Sequence, residues 1–154
     1  MALRSPDPLI PENEPLYRSI CCDDVAGEDV LPSAVDLPRC SFDRSKYCSG
    51  PDSVLTSLRP KDTGVVFITP GTLPGPVPRS PGSTGQPYEF VAADDPNPPE
   101  APENGAHAEV RLRPQGQAFN KNHKVKDKAV LAKAKDELCR RLKIVTPPTD
   151  ESLI

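Results

Sequence analysis

Tryptophan is absent from this 154-residue sequence, aromatic residues make up 5% of it, and there is a single methionine. So few large side chains leave little to offset backbone ordering, which costs about 1–2 kcal/mol per residue, through burial worth about 25 cal/mol per Å² of apolar surface. No run approaches the ~20 apolar residues of a membrane span, and the stretch from Met1 to Ile20 lacks the apolar core of a secretory signal. A cytoplasmic or nuclear location is expected. The cysteines, Cys21, Cys22, Cys40, Cys48 and Cys139, are odd in number and spaced for neither a disulfide framework nor a zinc site, so reduced thiols are expected and no cofactor is implied. His107 and His123 are the only histidines, and neither falls in a pattern with Cys, Asp or Ser that suggests a nucleophile and its base. A phosphate-cradling glycine loop, a His-Glu-x-x-His and a Cys-x-x-Cys are all missing. With no such motif and little core to hold a rigid constellation, a non-enzymatic protein is expected.

Proline is what the sequence has in abundance: 21 residues, beside nine glycines. This composition predicts a mostly intrinsically disordered, proline-rich chain with one C-terminal amphipathic α-helix and a short β-hairpin. The expected segments are a disordered acidic arm over 1–52, a hairpin over 53–69, a Pro/Gly-rich linker over 70–118, a basic helix over 119–146 and an extended tail over 147–154. The hairpin strands would be Ser53 to Leu58 and Val65 to Thr69, joined by a turn-like Arg-Pro-Lys-Asp-Thr-Gly. An isolated hairpin is marginal in water. Only the alternating apolar residues of Tyr88 to Val91 and of Ala108, Val110 and Leu112 offer the further strands a small sheet would need.

Charge is unevenly distributed. Between Arg111 and Lys143 there are eleven Lys/Arg against three Asp/Glu, and the remainder holds eight against nineteen. The helix carries the basic excess. At 100° per residue, Val130, Leu131, Ala134, Leu138, Leu142 and Val145 gather into one apolar stripe, while Lys126, Lys133, Asp136, Arg140 and Lys143 lie opposite. Asn122 or Asp127 would cap its start, and Pro147-Pro148 would stop it. On a disordered chain that stripe needs a partner, so a regulatory or adaptor protein binding another protein through this helix is the leading expectation. Salt-sensitive, sequence-independent contact of the lysines with nucleic acid is an alternative. It is disfavoured because this segment offers no stacking aromatic beyond Phe119, no arginine-rich groove reader and no zinc module.

Short motifs add candidates. Ser5, Thr69, Ser80 and Thr146 each precede proline and are candidate sites for proline-directed phosphorylation. Arg140-Arg141-Leu142-Lys143-Ile144 resembles the Arg-x-Leu docking motif of cyclin-dependent kinase substrates, which implies Arg140 on an acidic rim with Leu142 and Ile144 in an apolar patch of a cyclin-bound kinase. The terminal Glu151-Ser152-Leu153-Ile154 resembles a class I PDZ-domain ligand, which implies Ser152 and Ile154 as its contact residues.

Overall fold

The computed structural model describes residues 3–55, 61–122 and 124–149. It overturns the expected disorder: the described residues are mostly β, with a six-stranded antiparallel sheet and one α-helix among them. The strands are β1 (Leu16–Cys21), β2 (Val25–Ala26), β3 (Asp29–Val30), β4 (Arg39–Arg44), β5 (Asp62–Ile68), β6 (Tyr88–Asp94), β7 (His107–Pro114) and β8 (Lys143–Thr146), with helix α1 (Lys128–Arg141) before the last. The large sheet runs β6-β7-β4-β1-β5-β8, and β2 and β3 form a separate two-stranded ribbon.

The pleat explains how a chain with few aromatics finds a core. Successive side chains of a strand face opposite ways, and the register sets Leu16 and Ile20 of β1 beside Ile68 and Gly64 of β5, and Phe90 and Ala92 of β6 beside Leu112 and Val110 of β7. These residues share one face with Cys40, Phe42, Val66 and Ala108. The helix lays Val130, Ala134, Leu138 and Cys139 onto that face, and Ala34 and Val35 pack into the same cluster. Aliphatic residues meeting at both surfaces do the work that tryptophan does elsewhere.

Proline punctuates this sheet. Pro15, Pro38 and Pro87 immediately precede β1, β4 and β6, Pro114 ends β7, and Pro147 follows β8. A proline at a strand end costs no ladder hydrogen bond. The Leu37–Pro38 peptide is cis.

The segments predicted from composition change accordingly. The arm expected over 1–52 contains β1 to β4, and the linker expected over 70–118 contains β6 and β7. The expected hairpin partner of β5 is instead a 3-10 turn at Pro51–Val54, and β5 pairs with β1 and β8. Residues 56–60 of that segment lie outside the described residues. Helix α1 spans half of the predicted 119–146. Asp127 caps it by accepting from Ala129 N (3.0 Å) and Val130 N (3.2 Å), and it ends where Lys143, Ile144 and Thr146 pair with Phe67, Val66 and Val65 of β5. Gly64 is what lets the chain beyond β8 come so close: a Cβ there would stand 2.6 Å from Pro148 N and 2.8 Å from Thr146 O.

A buried ionic cluster ties the N-terminal residues to the sheet. Arg44, 1% exposed, donates to Glu14 (2.8 and 2.7 Å) and Asp7 (2.7 Å). Arg4 donates to Asp94 (2.6 and 2.8 Å) and Gly105 O and lies over the Tyr47 ring at 3.7 Å. Hydrogen bonds from Tyr47 and then Arg44 hold the Asp7 carboxyl down at about 2. For Asp94, burial raises the pKa, but bonds from Arg4 and the Asp7 N–H outweigh it and the net shift is downward.

Candidate functional site

The fold turns α1 around relative to its expected use. Val130, Ala134, Leu138 and Leu142 are buried in the chain's own core and Leu131 packs at its edge, so five of the six stripe residues are occupied by the sheet. Val145, 41% exposed, sits on β8 rather than on the helix. What α1 offers to solvent is its charged side.

Leu142 and Ile144 of the Arg-x-Leu motif have the same fate: Leu142 is buried in the core, and Ile144 pairs with Val66, leaving Arg140 exposed and paired with Asp136 at 3.0 Å. A cyclin patch would have to pull both apolar residues out of the domain. The PDZ candidates Ser152 and Ile154 lie outside the described residues. The four Ser/Thr-Pro candidates are separated by the fold. Ser5 is exposed, Thr69 Oγ1 is 3.1 Å from Thr72 Oγ1, Thr146 Oγ1 donates to Asp52 (3.1 Å), and Ser80 hydrogen-bonds the Asp127 cap.

A cleft of about 740 Å³ opens at the N-terminal end of α1, between the 79–88 loop and the connection from β7 to the helix. Arg79, Lys124 and Lys126 line it against one acidic group, Asp127, with Gln117 and Asn122 completing a polar wall. Arg79 is fixed in place: its Nε donates to Gln86 O (2.8 Å), its Nη1 to Tyr88 Oη (3.3 Å), and its guanidinium lies 4.6 Å from the centroid of the buried Tyr88 ring. Among the described residues Lys124 and Lys126 form no ion pair. Asp127 is spoken for: hydrogen bonding from Ser80, then from the Val130 and Ala129 N–H groups, keeps its carboxyl below the usual range. From the cleft, exposed Lys128, Lys133, Arg140, Arg141 and Lys143 continue the positive charge along the outer side of α1 and into β8.

The opposite face of the sheet is polar at its centre. The register sets Arg39, Ser41 and Asp43 of β4 beside Arg111, Glu109 and His107 of β7. Glu109, 2% exposed, accepts from Arg39 (3.0 and 2.6 Å) and Arg111 (2.8 Å). Burial pushes its carboxyl up, but the two guanidiniums outweigh burial and leave it below its ordinary value. His107 is buried, with Nδ1 2.9 Å from Asp95 O and Nε2 3.1 Å from Ser41 Oγ. Asp95 Oδ2 stands 3.4 Å from Nδ1 and is a buried oxygen with no hydrogen-bond partner.

Among the described residues, two groups bring three potential metal ligands together, Asp95-His107-Glu109 and Cys21-Asp24-Asp62. Neither suits a divalent ion. Glu109 is already held by two guanidiniums, Asp24 accepts from Cys21 N and Ser33 Oγ, and Asp62 from Ser19 Oγ. Sequence spacing gave no hint of the Ser41, Asp95 and His107 meeting, because the three residues come from β4, a loop and β7. The polarity of alternate positions in Arg39-Cys-Ser-Phe-Asp and His107-Ala-Glu-Val-Arg was the available signal. Among the described residues no helix is long and apolar enough to cross a membrane. Compared with known proteins, the chain matches no family model, no curated protein and no solved structure.

Proposed function

We propose that this domain binds the phosphate backbone of nucleic acid, without choice of sequence, through the Arg79-Lys124-Lys126 cleft and the outer side of α1. The observation that carries this is the orientation of the helix: its apolar stripe faces its own sheet and its cations face solvent. Protein interfaces concentrate binding energy in buried aromatic and apolar anchors. The exposed large apolar residues among those described are Leu3, Leu9 and Val145, none of which lines the cleft. Phosphates ask only for cations, and each one neutralised releases bound counterions. The helix is therefore the main contact element, as its sequence suggests, with the other side as the contact.

Ser80 gives the site a means of control. It hydrogen-bonds Asp127 beside the cleft and precedes Pro81 on an exposed loop. A phosphate there would add a charge of about −1.5 to −2 where the proposed ligand is itself anionic, and Ser80→Glu would weaken binding.

The test is fluorescence anisotropy of the full chain with a labelled 20-base-pair duplex across a salt series. If about four phosphates are contacted, log K falls with a slope near −3.6 against log salt, about a 150-fold loss between 50 and 200 mM. Lys124→Glu with Lys126→Glu should reduce affinity at least tenfold with an unchanged melting temperature. A salt-independent signal, or an affinity untouched by the double variant, refutes the proposal. Equal binding of polyglutamate would assign the surface to acidic protein partners instead.

A further inference from the structure

We propose that Ser41 is a nucleophile activated by His107, and that the polar face of the sheet carries a small esterase-type acyl-transfer site. This site lies apart from the basic cleft and does not depend on it.

The hydrogen bonds fix the imidazole's state. Asp95 O is a carbonyl and can only accept, so Nδ1 of His107 at 2.9 Å must carry the proton. In neutral histidine Nε2 is then a free lone pair, and the Ser41 hydroxyl at 3.1 Å donates to it. The partnerless Asp95 Oδ2, 3.4 Å from Nδ1, lies where it stabilises the imidazolium once Nε2 gains a proton. Asp95 is thus a positioning residue that acts through His107. Ser41 is exposed while His107 is buried, which puts the nucleophile within reach of substrate and keeps its base from solvent. Beside them lies a recess of about 160 Å³, walled by Tyr17, Ser19, Asp43, Val54 and Asn104. Its size suits the ester of a short carboxylic acid. Asn104 Nδ2 is a side-chain amide donor on that wall, held by Asp43 Oδ1 at 3.1 Å.

The chemistry closes without a cofactor. Ser41 Oγ forms a bond to the acyl carbon as its proton passes to His107 Nε2. The ester's C–O bond breaks, and the departing alkoxide takes that proton. Water, deprotonated by the same nitrogen, then cleaves the acyl-serine to release the carboxylic acid and restore Ser41. The absence of a sequence motif for this chemistry follows from its assembly across β4 and β7, and the fold supplies the rigid support that composition alone did not promise.

The probe is a fluorophosphonate, which a serine so activated attacks with loss of fluoride. Incubated with the full chain and digested, it should leave its adduct on the peptide bearing Ser41, and Ser41→Ala should remove it. His107→Gln should slow the labelling at least a hundredfold, the low end of what general-base assistance contributes. Asp95→Asn keeps the backbone carbonyl and covers the case in which the histidine variant fails to fold. It should slow labelling about tenfold and move its pH profile to lower pH, a displacement that a purely structural role would not produce. No adduct on Ser41, or Ser41 labelling at the wild-type rate in folded Asp95→Asn, overturns the proposal.

Discussion

Replacing Leu138 with alanine separates a helix that is part of a folded core from one that waits for a partner. Leu138 has no exposed surface and belongs to the cluster between α1 and the sheet. Deleting three carbons removes about 2.4 kcal/mol of transfer free energy at ~0.8 per group. A partly relaxed cavity of about 40 Å³ adds about 1 kcal/mol at ~24 cal/mol per Å³. The total, about 3.4 kcal/mol, is a large share of the 5–15 kcal/mol typical of a domain. With a shift of about 2–4 °C per kcal/mol at this size, the melting temperature should fall by about 7–14 °C. At an m-value of about 2 kcal/mol per M, the urea midpoint should fall by about 1.7 M. Circular dichroism at 222 nm and a near-ultraviolet tyrosine signal should report the same transition. Lys133→Ala on the exposed side is the control and should stay within about 0.5 kcal/mol of the parent. If the parent shows no cooperative transition, or the two variants melt together, Leu138 is not in a packed core and the fold argument fails.

Acid should unfold the domain through its depressed carboxyls. Asp7, Asp94 and Glu109 have folded pKa values below their unfolded ones, so they bind fewer protons folded than unfolded; their contribution is complete above about pH 5 and disappears as pH falls towards Asp7's value of about 2. Urea midpoints should be level from pH 5 to 7 and decline from about pH 4.5 to 2, and a midpoint that rises on acidification would contradict the ionic cluster. Cysteine alkylation gives an independent check on burial. Cys40 and Cys139 are buried, burial raises both thiols and pushes Cys139 up to about 12, and the Cys139 thiol donates to Leu31 O at 3.3 Å. Iodoacetamide at pH 7.5 should modify Cys22 and Cys48 first and spare Cys40 and Cys139 until denaturant is added; early modification of either buried thiol would place it elsewhere.

The helix was legible because strong helix formers dominate the fourteen positions from Lys128 and the apolar residues keep one period. So were parts of β5, β6 and β7, where Val65-Val66-Phe67-Ile68, Tyr88 to Val91 and Ala108 to Leu112 announce strands through branched and alternating residues. β1 and β4 were hidden for a physical reason. Their inward positions include Arg18 and Arg44, whose heads reach Ala34 O, Ser41 O and a ring of carboxylates, so the alternation is chemically satisfied but not apolar. Counting prolines misled because they were weighed as composition and not by place; nearly every one that touches the sheet stands at a strand end. The basic cleft was legible as a charge excess but not as a cavity, since Arg79 reaches it from a loop some forty residues earlier in the chain.

The order β6-β7-β4-β1-β5-β8 sets a schedule for the nascent chain. Among the described strands only β6 and β7 are neighbours both in sequence and in the large sheet, and β8 closes on β5 about eighty residues behind it. Ribosomes add about 5–20 residues per second, so these 154 residues take about 8–30 s to appear, longer than the milliseconds to seconds in which sheets of distant pairings fold. Folding must wait on synthesis. Until α1 clears the exit tunnel, the part of the sheet's apolar face that the helix covers stays open, and the leucines of α1 are the last to be offered their place. During that interval the chain presents to the cell's chaperones the sheet face that the finished protein conceals beneath α1.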